Sequence, residues 1–184
     1  MILCSPHNPV GRVWSEEELK QIGDICFKHG VIVVSDEIHA DFVFKGKHHV
    51  FAKLKEEYKE ISIVATAPSK TFNIAGLQAS NIFIANPALR SKFVKQMDAS
   101  GYGHLTATGL VAANAAYAHG EEWYQAMLKY VGENIAYTKQ FVEERFSKVK
   151  VVETEGTYLM WLDFRELHLT EEELEALAQC IEME

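Results

Sequence analysis

The sequence predicts an α/β fold built on a mostly parallel sheet flanked by helices, and three observations predict it. Short apolar runs rich in Val, Ile and Ala recur at residues 31–35, 61–67 and 81–85. The first of them is continuously apolar and β-branched rather than alternating, as expected of a strand covered on both faces. Segments with apolar residues at helical spacing lie between and around them, and strand–helix alternation of this kind builds parallel sheets. No internal repeat or low-complexity tract competes with that reading.

Each element has a local reason. Residues 1–4 form a first apolar strand, and "HNPVG" after it is a turn because Asn, Pro and Gly favour chain reversal. Ser15 with Glu18 is a capping box that starts a helix, and Leu19, Ile22, Ile25 and Cys26 give that helix one apolar face. Gly30 stops it. A strand follows over residues 31–35, then a short helix over residues 51–58. "ISIVATA" and "NIFIA" read as two further buried strands. Pro87 opens a helix carrying Leu89, Phe93 and Met97, since proline is tolerated in a first turn. A small-residue helix is expected over residues 105–119. A long one is expected over residues 121–146, with Trp123, Met127, Val131, Ile135 and Val142 on one face. "VKVVE" and "TYLMWLDF" read as strands, and Thr170 caps a last helix through Glu173. The sheet pattern ends near Gly120, which divides the chain into residues 1–120 and residues 121–184.

Composition excludes several classes of function. The chain has 184 residues and a formal net charge of −8, from 26 acidic and 18 basic side chains. An acidic chain without a basic cluster has no grip on a nucleic-acid backbone. No apolar run approaches the ~20 residues of a membrane span, and the opening "MILCSPHNP" lacks the charged and apolar regions of a signal peptide. Cys4, Cys26 and Cys180 are widely spaced and odd in number, as expected of reduced thiols in a cytoplasmic protein. His48 and His49 lack acids or cysteines at metal-ligand spacing, so no metal is expected. "GYGHLT" begins like a dinucleotide-binding turn, but Thr106 replaces the third glycine and no strand precedes it.

Open α/β sheets bind ligands outside the carboxyl ends of their strands. The residues just beyond the first three apolar runs are Asn8, Asp36 and Lys70. Lys70 alone reads as a solvated surface lysine. An amide, an acid and an amine delivered to one sheet edge suit pyridoxal phosphate instead. The amine forms a Schiff base with the aldehyde, the acid keeps the pyridine nitrogen protonated, and the amide donates to the phenolic oxygen. The lysine amine is also suited to carry the substrate's Cα proton.

"PHNPVGRVW", "VVSDEIHADF" and "APSKTFNIAGLQ" resemble the fold-type I pyridoxal-phosphate enzymes, the aspartate aminotransferase superfamily. The resemblance extends through "EGTYLMWLDF". It implies part of that family's three-layer large domain plus the start of its smaller α+β C-terminal domain. By position it makes Lys70 the Schiff-base lysine, Asp36 the pyridinium partner and Asn8 the partner of the phenolic oxygen. Three departures narrow the branch: His39 stands where many aminotransferases have tyrosine, Ala67 where they have serine, and Gln78 where they have arginine. Glutamine cannot give the bidentate phosphate grip of arginine, so Ser69 and backbone amides are expected to share that task. His39 joins Asn8, Asp36, Ser69 and Lys70 in the implied cofactor-binding set.

The three motifs together are similar to the cystathionine β-lyase (C–S lyase) branch, the MalY and PatB type. Those enzymes release a thiol, pyruvate and ammonia from cysteine thioethers. The alternatives are a class I/II aminotransferase and a truncated, non-catalytic chain that pairs with a separate one. The family's chains are about twice as long, so the resemblance also implies a fragment, inactive by itself, of an enzyme that works as a homodimer on a small amino acid.

Overall fold

The structure is a computed structural model, and it describes residues 1–182. Strands β1 (Ile2–Cys4), β2 (Val33–Asp36), β3 (Ser62–Thr66) and β4 (Asn81–Phe83) form one sheet in that order. The first three are parallel and β4 runs antiparallel to β3, so the sheet is mostly parallel, as the apolar runs predict. Helix α1 (Glu16–Lys28) makes the crossover from β1 to β2. Its capping box forms in full, with Ser15 and Glu18 each satisfying a backbone N–H of the other. Gly30 follows its end with a positive φ of 62°.

One apolar cluster holds α1 to the sheet: Leu3, Leu19, Cys26, Val33, Phe51 and Tyr58 are its main members. Phe51 and Tyr58 stack with centroids 5.2 Å apart. Gly23 makes room for this pair, because a Cβ there would sit 2.4 Å from the Tyr58 ring.

The single short helix expected over residues 51–58 is two 3-10 turns, Phe51–Lys53 and Glu56–Glu60. Lys55 is extended at φ −147° and breaks the run. The strand expected from residue 31 begins at Val33. β4 is shorter than the apolar run suggests and is not buried: it lies at the sheet's edge with Phe83 60% exposed.

Helices α2 (Pro87–Ala99), α3 (Ala107–His119) and α4 (Glu121–Arg145) follow. Asn86 and Thr106 cap the first two through side-chain oxygens. Of the apolar stripe expected along α4, Val142 is the buried member. Strands β5 (Lys150–Val151) and β6 (Leu162–Asp163) make a small antiparallel pair, and Thr170 caps α5 (Glu171–Glu182). "TYLMWLDF" is therefore mostly not a strand. Thr157 takes a left-handed φ of 66° and turns the chain before β6 can begin. Among the described residues no helix is long and apolar enough to cross a membrane. Cys4 and Cys26 are free thiols, whereas the side chain of Cys180 lies outside the described residues.

Candidate active site at the ends of the parallel strands

The strand register sets the site. Cys4 pairs with Asp36 and Asp36 with Ala65, so the last residues of β1 and β2 lie level with Ala65 of β3. Asn8 comes four residues beyond Cys4 and Lys70 five beyond Ala65, both in turns. The Asp36 carboxylate accepts the Ile38 N–H at Oδ1 (3.2 Å). That bond is an Asx-type turn at the strand end, and it leaves Oδ2 without a hydrogen bond among the described residues.

His39 is 1% exposed, and its Nε2 lies 3.4 Å from the Asn8 amide nitrogen. Asn8 itself is exposed, so the imidazole backs the amide from the protein side. Burial lowers the His39 pKa, the nearby Lys70 cation lowers it further, and Asp36 opposes both. Both charged candidates thus act on the same buried ring. Burial also pushes the Cys4 thiol up, with the Asn8 N–H partly offsetting it and Asp36 adding to it.

The lysine turn is fastened from three sides. Phe72 N–H bonds to the Pro68 carbonyl and Ile74 N–H to the Ser69 carbonyl, both at 2.9 Å. Buried Thr71 donates its hydroxyl to Asp41 Oδ2 (2.6 Å), and Tyr124 of α4 donates to the Asp41 carbonyl (2.7 Å). Lys70 is half-buried and makes no ion pair among the described residues. Ser69 beside it is buried. Gln78 adopts a left-handed φ of 54° at the end of the 3-10 turn Ala75–Leu77.

Sequence reasoning missed two features. The first is Glu37, whose buried carboxylate receives the Ser35 hydroxyl (2.9 Å), the Phe51 N–H (3.0 Å) and His48 Nε2 (2.9 Å). Side chains alternate along a strand, so Ser35 and Glu37 share the face opposite Asp36; that alternation was the available signal. The second is the segment 154–158. Gly156 packs so closely that a Cβ would lie 2.7 Å from the Phe42 carbonyl oxygen, and Thr157 N–H bonds to that same carbonyl (3.0 Å). Tyr158 then meets the rings of His39 and Phe42 edge-on, at 5.4 and 5.0 Å. No local pattern foretells that contact.

A family model described as aminotransferase class I and II matches residues 1–184. The chain belongs to that family. It is 45% identical over 175 residues to cystathionine beta-lyase PatB of Bacillus subtilis, a match covering 95% of this chain and 45% of that enzyme. Cystalysin of Treponema denticola, solved with a pyridoxal 5'-phosphate cofactor, superposes with a TM-score of 0.91 at 41% identity, covering 95% of this chain and 45% of that one. The pyridoxal-phosphate-bound C-S lyase of Staphylococcus hominis superposes at 0.83 with 39% identity, over 92% and 44% of the two chains. The expected fold class agrees with these matches. The chain spans about half the length of the curated relatives it matches, 45% in the case of PatB. Among the described residues no group of three or more His, Cys, Asp and Glu is gathered to hold a metal ion.

Proposed function

We propose that the complete protein is a pyridoxal-phosphate-dependent carbon–sulfur β-lyase acting on cysteine thioethers. The observation that carries this reading is the meeting of Asn8, Asp36 and Lys70 at one edge of the sheet, in a chain whose close relatives include C–S lyases. The residues present suit the cofactor. Among the described residues Lys70 is an amine without a carboxylate partner and Asp36 has one carboxylate oxygen without a hydrogen bond, and Asn8 is an exposed amide over a buried ring.

Pyridoxal phosphate, when bound, supplies an aldehyde for an amine and a cationic ring that withdraws electrons from the substrate's Cα. Lys70 would hold the aldehyde carbon and then carry the Cα proton. Asp36 would keep the ring nitrogen protonated, Asn8 would donate to the phenolic oxygen, and Ser69 with backbone N–H groups would take the phosphate. His39 stands in the same set, beside Asn8. The overall reaction breaks the Cβ–S bond and consumes one water, giving a thiol, pyruvate and ammonia. On the same reading residues 1–120 belong to the cofactor-binding domain and residues 121–184 to the start of a smaller one. The complete enzyme is a cytoplasmic homodimer with a small amino-acid substrate.

Borohydride reduction of the cofactor-loaded protein, followed by peptide mass spectrometry, tests the site. The label should fall on Lys70 and vanish in Lys70→Ala; a label on Lys28 or Lys92 would overturn the assignment. The reaction is tested by supplying cystathionine to the full-length enzyme. Thiol and pyruvate release supports the lyase, whereas efficient amino-group exchange with a keto acid and no thiol supports an aminotransferase.

A further inference from the structure

We propose that His39 is a positioning residue: a neutral imidazole that sets the Asn8 amide, with its Nε2 accepting an amide N–H and its proton held on Nδ1. The proposal rests on the site reading above for the purpose of the amide, but the imidazole geometry carries it.

An asparagine side-chain nitrogen can only donate. Nε2 of His39, 3.4 Å from it, must therefore accept. An accepting Nε2 requires a neutral ring with its proton on Nδ1. Nδ1 is buried with no hydrogen-bond partner among the described residues, so its N–H goes unpaired even in the neutral ring, and a charged ring would add an Nε2–H facing an amide nitrogen that cannot accept it. A protonated ring would present a second N–H to the amide, which would have to turn its oxygen inward and its nitrogen out.

The groups facing the ring agree with neutrality. Lys70 approaches from the turn after β3, Asp36 from the end of β2, Asn8 from the turn after β1, and the rings of Phe42 and Tyr158 close the rest. Burial and Lys70 outweigh Asp36, so the ring stays neutral to lower pH than a free histidine. Tyr158 is held against the ring by the buried, left-handed Thr157. A non-glycine, β-branched residue at positive φ is strained, and such strain persists only where the surroundings hold it. The segment 154–158 thus buttresses the imidazole that orients Asn8. A second N–H of the Asn8 amide remains for a ligand oxygen.

The tautomer can be read from the 15N spectrum of the histidine rings in the chain itself, with His39 assigned by the signal lost in His39→Gln. The expected result is a neutral ring protonated at Nδ1 at pH 6.5, with Asn8→Ala shifting its Nε2 resonance. A ring protonated at Nε2, or charged at that pH, would overturn the proposal whether or not cofactor binds. With pyridoxal phosphate bound, the pH midpoint of the visible band gives the second readout. Asn8→Ala and His39→Phe should move it in the same direction by about one unit, tenfold in proton affinity, and the double variant should move it no further. His39→Gln, which keeps an acceptor, should restore most of the shift. Additive shifts, or none from either variant, would show that the ring does not act through the amide. A protein that binds no cofactor on Lys70 would instead sink the site reading and leave the imidazole result to stand or fall on the nitrogen spectrum.

Discussion

Residues 1–86 and the helices that follow them contain similar proportions of apolar side chains but use them differently. In the sheet region Leu19, Val33, Phe51 and Tyr58 are completely enclosed. Along α2 no residue is buried, along α3 only Gly109, and along α4 only Val142. Leu110, Val111, Tyr117 and Tyr130 are more than half exposed. The sheet region closes its own core because α1 and the two 3-10 turns pack on strands that are level and parallel. The later segments instead meet that region at separate points, among them Tyr124 and Trp123 of α4 on Asp41 and Phe72, and the segment 154–158 on Phe42 and His39. All of these points border the candidate site. The difference teaches that the groups of the candidate site come from the region with the enclosed core and are braced by the segments that follow.

Substitutions can break or sharpen that contrast. The largest effect is expected from Phe51→Ala, which empties the stacked pair under α1 and should cost about 3–5 kcal/mol in urea unfolding. A loss below 1 kcal/mol would mean that the cluster is not the core it resembles. Gly23→Ala drives a methyl into the Tyr58 ring and should cost about 1–3 kcal/mol by overpacking.

Tyr58→Phe should cost about 1 kcal/mol, because the hydroxyl reaches the Asp24 carboxylate at 2.7 Å and the Lys20 carbonyl at 2.8 Å. It should also change the alkaline limb of stability. Burial, then the Asp24 hydrogen bond, pushes the Tyr58 pKa from 10.0 up to about 12. Between those values the unfolded chain gives up the proton while the folded one keeps it. Stability therefore falls as pH rises through that window. Unfolding midpoints of Tyr58→Phe should fall less steeply there than those of the parent, and equal slopes would reject the assignment.

The smallest effect is expected in the other region. Leu110→Ser on exposed α3 should change the chain's stability by no more than ~0.5 kcal/mol. A loss as large as that of Gly23→Ala would erase the contrast between the two regions.

Much of the architecture was legible because it is local. The Ser15–Glu18 and Thr170–Glu173 boxes, Pro87 in the first turn of α2, and Gly30 after α1 each act within four residues. The errors occurred where distant packing overrode local pattern. Lys55 split an apparent helix, and the turn at Thr157 left only Leu162–Asp163 of an apparent strand paired with β5.

The sequence by itself determined the order of strands and helices and the three polar residues at strand ends. Apolar period, capping chemistry and turn residues are all encoded within a few positions. Only the tertiary structure decided that His39 lies under Asn8, 31 residues away, and that Tyr158 braces it from the far end of the chain. It alone decided that Glu37 is buried among Ser35, His48 and Phe51. A side chain's burial and partner depend on what the fold lays against it, and that placement is set by the packing of segments that share no local signal.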